Sequence, residues 1–228
     1  MVSGANQTRI QTMLTKALLS AVSAVVLLGS VGAMAQGFQQ GGVSVGGTLN
    51  QTTNFNFNVT SQGIDGGSGK TRIGVVSRSD VGGSLNQRTN IEAPVLTQGY
   101  NGGAAEARIG YIEGAKVGGS VNQTTTLENA LNITAVGNSS TAKTDIGVIK
   151  EAKVGGSVTQ TTTVRRVVLS GATGFGSTAV TELGKINNAD VGGTVNQSTT
   201  IIGEVTSQAV GTGSTGCTTI GLIGKSDC

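Results

Sequence analysis

Val117-Gly118-Gly119-Ser120-Val121-Asn122-Gln123-Thr124-Thr125-Thr126-Leu127 is the stretch on which the fold turns. Counted from Ala115, the odd positions are Ala115, Val117, Gly119, Val121, Gln123, Thr125 and Leu127. The even positions are Lys116, Gly118, Ser120, Asn122, Thr124 and Thr126. Alternation with period two is the mark of a β-strand and puts the first set on one face. That inner face begins apolar and turns polar at Gln123. Leu131, Ile133 and Ala135 then alternate again. The segment therefore reads as a short strand, a longer strand and a third, less regular one. A turn composition follows, Gly137-Asn138-Ser139-Ser140-Thr141, with equivalents beginning at Gly99, Gly171 and Gly211.

The same string recurs along the chain. Its first residues are Val45, Val81, Val117, Val154 and Val191, at spacings of 36, 36, 37 and 37. Each is followed six residues later by a glutamine: Gln51, Gln87, Gln123, Gln160 and Gln197. A second signature keeps the same phase: Ile73-Gly74, Ile109-Gly110, Ile146-Gly147, Leu183-Gly184 and Ile220-Gly221. Two motifs holding one period over five copies define tandem repeats, at 45–80, 81–116, 117–153, 154–190 and 191–228. One such copy has no way to bury its own apolar face, whereas stacked copies cover one another. The expected fold is all-β, a five-layer β-solenoid or β-arch stack. In it the valine row and the glutamine row become ladders, with Val117 between Val81 and Val154 and Gln123 between Gln87 and Gln160. An inward glutamine in such a ladder donates to one neighbour and accepts from the other, so its burial leaves no bond unmade. The Gly-Gly pair suits a sharp bend or the close approach of another backbone.

Composition agrees. The chain has 228 residues with 38 glycines, one proline, no tryptophan and no histidine. Val, Ile, Leu and Ala must supply the core. Residues 17–31 form an uncharged apolar run preceded by Lys16 and followed by Ala33-Met34-Ala35. This is the pattern of a cleaved secretory signal peptide over 1–35, and Met13 is a second candidate start. Residues 36–44 are a short Gly- and Gln-rich lead-in. Arg9 and Lys16 are two of the fifteen basic residues, so cleavage leaves thirteen against twelve acidic ones. No basic stripe remains for nucleic acid, and no stable membrane insertion is expected after cleavage.

Catalytic and cofactor chemistry finds no purchase. Without histidine there is no His-based triad or general base. Cys217 and Cys228, the only cysteines, fall short of a four-ligand zinc site and are not spaced as C-x-x-C. In an exported chain they are expected to bridge, stapling the last copy at about 2–3 kcal/mol. An intermolecular link is the rival arrangement. Asp80 and Asp190 share a repeat position with Lys116 and Lys153, which reads as charge alternation on a solvated face. The chain is expected not to be an enzyme and to need no cofactor or metal.

Secreted tandem repeats rich in Gly, Asn, Gln, Ser and Thr, with Gln and Asn at fixed positions, resemble the subunits of bacterial functional amyloids, the curli-type fibres among them. The resemblance covers 41–228. It implies export, stacking of β layers and assembly into an extracellular fibre or biofilm matrix. The expected partner is another copy, stacked head to tail, helped by an outer-membrane secretion or nucleation protein. A second expectation rests on Thr124-Thr125-Thr126, Thr161-Thr162-Thr163 and Ser198-Thr199-Thr200. Ladders of these hydroxyls would suit a monomeric solenoid that binds ice or a glycan surface.

Overall fold

In a computed structural model, residues 43–225 are described. They form a β-solenoid of five stacked layers, with no helix among them. The expected signal peptide, the Met13 start, lead-in residues 36–42 and Cys228 lie outside the described residues. All strand pairing is parallel, between one layer and the next.

Four sheets run along the stack. The first has two-residue strands: Ser44–Val45, Asp80–Val81, Lys116–Val117, Lys153–Val154 and Asp190–Val191. The second has seven-residue strands: Leu49–Phe55, Leu85–Ile91, Val121–Leu127, Val158–Val164 and Val195–Ile201. The third is Val59–Gly63, Val95–Gly99, Leu131–Val136, Val168–Thr173 and Val205–Val210. The fourth is Gly69–Ser77, Ala104–Glu113, Thr141–Lys150, Thr178–Leu183 and Thr215–Ile220, with Ile186–Asn187 pairing beside Ile149.

The first three strands of each layer match the alternation in the sequence. Val121, Gln123, Thr125 and Leu127 are buried while Asn122 and Thr124 are exposed; Leu131, Ile133 and Ala135 are buried. The fourth strand departs from the three-strand expectation. Ile109 and Ile112 both point into the core though they are three residues apart. Between them Gly110 has φ +56°, a left-handed conformation that glycine adopts without a Cβ clash. The inserted turn shifts the alternation by one residue, as a bulge does. Gly74, Gly147, Gly184 and Gly221 repeat it at φ +60°, +60°, +54° and +61°. A second departure is smaller. Gly171-Ala172-Thr173, expected in a turn, belong to the third-sheet strand, and the turn begins at Gly174.

The Gly-Gly pairs form the corner between the first and second sheets. A Cβ on Gly118 would lie 2.4 Å from the Gly82 carbonyl oxygen, and one on Gly155 2.5 Å from that of Gly118. Successive layers therefore touch backbone to backbone here, which any larger residue would prevent.

The interior divides into two apolar clusters. One joins the ends of the second-sheet strands (Ile91, Leu127, Val164) to the third sheet and the first half of the fourth. The other joins the valine row to Leu85, Val121, Val158, Ile112 and Ile149. Between them runs a polar seam.

Candidate functional site: interior ladders and open end layers

The seam is built from the glutamine row. Gln123 Nε2 donates to Gln87 Oε1 at 2.8 Å and to the Gly110 carbonyl at 2.6 Å. Gln87 repeats this towards Gln51 Oε1 at 2.9 Å and the Gly74 carbonyl at 2.5 Å. Gln160 donates to Gln123 Oε1 at 2.7 Å and to the Gly147 carbonyl; Gln197 donates to Gln160 Oε1 at 2.9 Å and to the Gly184 carbonyl. The amide hydrogens of Gln87, Gln123, Gln160 and Gln197 thus all have a direction. One points to the previous glutamine, the other to the glycine thirteen residues earlier. Gln87, Gln123 and Gln160 are 1–2% exposed, and this full bonding is what makes their burial tolerable.

The threonines beside them explain the glycines further. The position where a Cβ would stand on Gly74, Gly110, Gly147 and Gly184 is 2.0–2.1 Å from Oγ1 of Thr89, Thr125, Thr162 and Thr199. The glycine Cα–H therefore points at that oxygen, a weak donor for hydroxyls that have no conventional partner among the described residues.

Two further ladders run beside this one. On the outer surface Asn86 Nδ2 donates to Asn50 Oδ1 and Asn122 Nδ2 to Asn86 Oδ1, each at 2.8 Å. Inside, hydroxyls of the third and fourth sheets connect. Thr144 meets Ser170 at 2.6 Å, Thr181 meets Ser170 at 2.8 Å, Ser207 meets Thr181 at 2.7 Å and Thr218 meets Ser207 at 2.8 Å. Thr71 and Thr97 form a similar pair at 2.7 Å. Ala107 and Ile133 separate the two groups.

The valine row is paired in register through the five layers. Val81, Val117 and Val154 are buried, and Val45 and Val191, in the end layers, are half-buried. The charged row beside it, Ser44, Asp80, Lys116, Lys153 and Asp190, is in register, with Lys116 Nζ 3.9 Å from Asp80 Oδ1. Cys217 is disulfide-bonded; Cys228 lies outside the described residues.

Sequence reading missed one cluster, on the outer face of the fourth sheet. Asp145 has a fully buried side chain, 3.2 Å from Lys143 Nζ and 3.8 Å from Arg108 Nε. Arg108 also pairs with Glu106 at 2.5 Å and Glu113 at 3.0 Å, and its guanidinium lies 4.7 Å from the Tyr111 ring centroid. Desolvation pushes the Asp145 carboxyl up to about 6, against the pull of Lys143 and with a push from Glu182. Burial likewise raises the Tyr111 hydroxyl. The residues come from neighbouring layers at one sheet position, so their closeness is invisible until the layers are aligned.

Among the described residues, these ladders stop at the end layers. Leu49, Gln51, Thr53 and Phe55 in the first, and Val195, Gln197, Thr199 and Ile201 in the fifth, are half-buried where their middle-layer counterparts are buried. The features define a class: a β-solenoid with in-register polar ladders running to both ends. Comparison of the chain with family models, with curated proteins and with solved structures finds no match to any of the three.

Proposed function

We propose that this chain is an exported structural subunit that assembles through its end layers into an extracellular fibre, surface or biofilm-matrix component with an adhesive role. One observation carries the reading. Every strand row is parallel and in register from the first layer to the fifth, so each end of the described stack carries an edge of the kind that already binds a neighbouring layer. Exposed edge strands bring unpaired backbone groups, and rows of like residues bring side-chain register. A contact between unlike ends does not close on itself and propagates as a filament. Export rests on the leader sequence, and an outer-membrane secretion or nucleation protein is the second partner it implies. The test is direct. Purified protein at micromolar concentration should form unbranched fibres with a ~4.8 Å axial reflection. Protein that stays monomeric by light scattering for days, with and without reductant, refutes the proposal.

The second reading is a monomeric binding solenoid. It draws on the outward row Thr124, Thr161 and Ser198, beside Thr126, Thr163 and Thr200, on the second sheet. Arg88 stands in the first of these rows and breaks its flatness. Ice recrystallisation and glycan-array binding by the monomer would favour this reading.

A further inference from the structure

The two end layers match each other in ways that the middle layers do not share. In the third sheet the first layer carries Val59-Thr60-Ser61-Gln62 and the fifth carries Val205-Thr206-Ser207-Gln208, the same four residues. The three layers between carry Val95-Leu96-Thr97-Gln98, Leu131-Asn132-Ile133-Thr134 and Val168-Leu169-Ser170-Gly171 at those positions. In the fourth sheet the row Gly69, Ala105, Ala142, Ala179, Gly216 has glycine only at its two ends. Both glycines lie against the serine of their own layer. A Cβ on Gly69 would be 2.2 Å from the Gln98 carbonyl oxygen of the next layer and 3.0 Å from that of Ser61, and one on Gly216 2.7 Å from that of Ser207.

The ends are also chemically opposite. The glutamine ladder is polar, because each Nε2 donates towards the earlier layer. Gln51 Nε2 has no ladder acceptor among the described residues, and Gln197 Oε1 has no ladder donor. The first layer is thus a donor end and the fifth an acceptor end. The glycine row has the same asymmetry. Four of its members have a threonine Oγ1 at 2.0–2.1 Å from the Cβ position, whereas Gly221 meets only Thr199, at 3.7 Å.

We propose that the partner is a second copy of this chain whose first layer docks on the fifth layer in the internal register. This deepens the fibre reading and rests on it. Gln51 Nε2 of the incoming molecule then donates to Gln197 Oε1 and to the Gly221 carbonyl of the resident one. Thr53 sits against Gly221 as Thr199 sits against Gly184, and Asn50 donates to Asn196. Ser61, whose hydroxyl bonds to the Lys70 backbone in its own layer, comes to face Thr218 at the position from which Ser207 reaches Thr181. Val59-Thr60-Ser61-Gln62 stacks on Val205-Thr206-Ser207-Gln208, like on like. The joint is more nearly identical in residues than any internal one in the third sheet, so the register is set by polar pairing rather than by apolar fit.

The roles of the two end glutamines differ, and this gives the experiment. In the single molecule Gln51 only accepts, from Gln87. Gln51→Glu keeps that acceptor and should melt as wild type. At the joint it would set a carboxylate against two oxygens, and the concentration needed for assembly should rise by about tenfold or more. Register is read by cross-linking. An Asn50→Cys molecule and an Asn196→Cys molecule, mixed and treated with a short bismaleimide, should give a 50–196 product. Asn50→Cys alone should give none, nor should Asn50→Cys mixed with Thr161→Cys. Wild-type protein that never assembles overturns the fibre reading and this joint together. Fibres that form normally with Gln51→Glu, or that cross-link 50 to 50 or 50 to 161, overturn the joint alone.

Discussion

The second and fourth sheets solve one problem in opposite ways. Each stacks five strands in register, so each residue meets its equivalents above and below. In the second sheet these are alike: Gln on Gln, Thr on Thr, and Asn on Asn for three layers. Neutral amides and hydroxyls both donate and accept, so such rows can be extended layer upon layer. On the outer face of the fourth sheet one row runs Arg72, Arg108, Asp145, Glu182, Thr219. The sign changes once along this row, between Arg108 and Asp145, and Arg108, Asp145 and Glu182 each have oppositely charged partners within the molecule. Arg108 with Glu106 and Glu113, and Lys185 with Glu182 at 2.6 Å, are such pairs. One sheet repeats the same side-chain contact from layer to layer, and the other pairs charges that differ from layer to layer.

The sharpest way to break this contrast is to put a charge into the ladder. Gln123→Glu removes both amide donations, to Gln87 and to the Gly110 carbonyl, and sets a carboxylate against those two oxygens. The residue is 1% exposed, and no ion pair found among the described residues involves it. A buried, unpaired charge costs about 3–5 kcal/mol, a loss of roughly 10 °C in Tm for a chain of this size. Thermal melts at neutral pH measure it. A melt unchanged from wild type would show that the row does not need its donors.

The ladder was legible in the sequence because every copy repeats it and strict alternation shows which side faces in. Val121, Gln123 and Thr125 needed no structure to be placed. The fourth strand was harder. Its Ile-Gly signature was visible, but two inward isoleucines three residues apart contradict a period of two, and only the positive φ of the glycine reconciles them. The bond from Gln123 to Gly110 joins two motifs of different copies across thirteen residues, a distance set by the corner and not by either motif. Asp145 was illegible for another reason. Its neighbours Arg108 and Glu182 are 37 residues away on each side, and the charges at that position follow no repeat. The likeness of Val59-Thr60-Ser61-Gln62 to Val205-Thr206-Ser207-Gln208 stands openly in the sequence. It gains meaning only once those strands are seen at the two ends of a stack.

A middle-sized effect separates the sheets by pH. Burial holds the Asp145 carboxyl at about 6 in the folded chain, above its ordinary 3.8. A group raised on folding adds stability below its unfolded value, and that contribution is lost as pH rises through the folded one. Asp145 therefore works against the fold above about pH 6. Asp145→Asn keeps the shape without the charge. Relative to wild type it should gain on the order of 1–3 kcal/mol at pH 8 and little at pH 4. Melts of both proteins across that range give the difference directly, free of the other carboxylates common to both. A variant less stable than wild type at pH 8 would mean that Lys143 and Arg108 outweigh the burial.

The smallest expected effect sharpens the comparison within the second sheet. Asn122 is the immediate neighbour of Gln123 and belongs to an equally regular row, but on the opposite face. It is exposed, and its Nδ2 donates to Asn86 Oδ1 at 2.8 Å. The next layer has Thr159 there, so the asparagine ladder ends at this residue. Asn122→Asp loses one donation and adds a charge that water can solvate. Exposed hydrogen bonds contribute about 0.5–1.5 kcal/mol, and surface substitutions usually fall near the lower bound. A fall of roughly 1–3 °C in Tm is therefore expected, several-fold less than for Gln123→Glu. The two variants make the same chemical change one residue apart in one strand. Backbone propensity and repeat position are nearly constant between them, so the difference in melting isolates the face. Were the two losses equal, the outer row would be as dry as the inner one, a state that stacking of layers along the axis cannot produce in a single molecule.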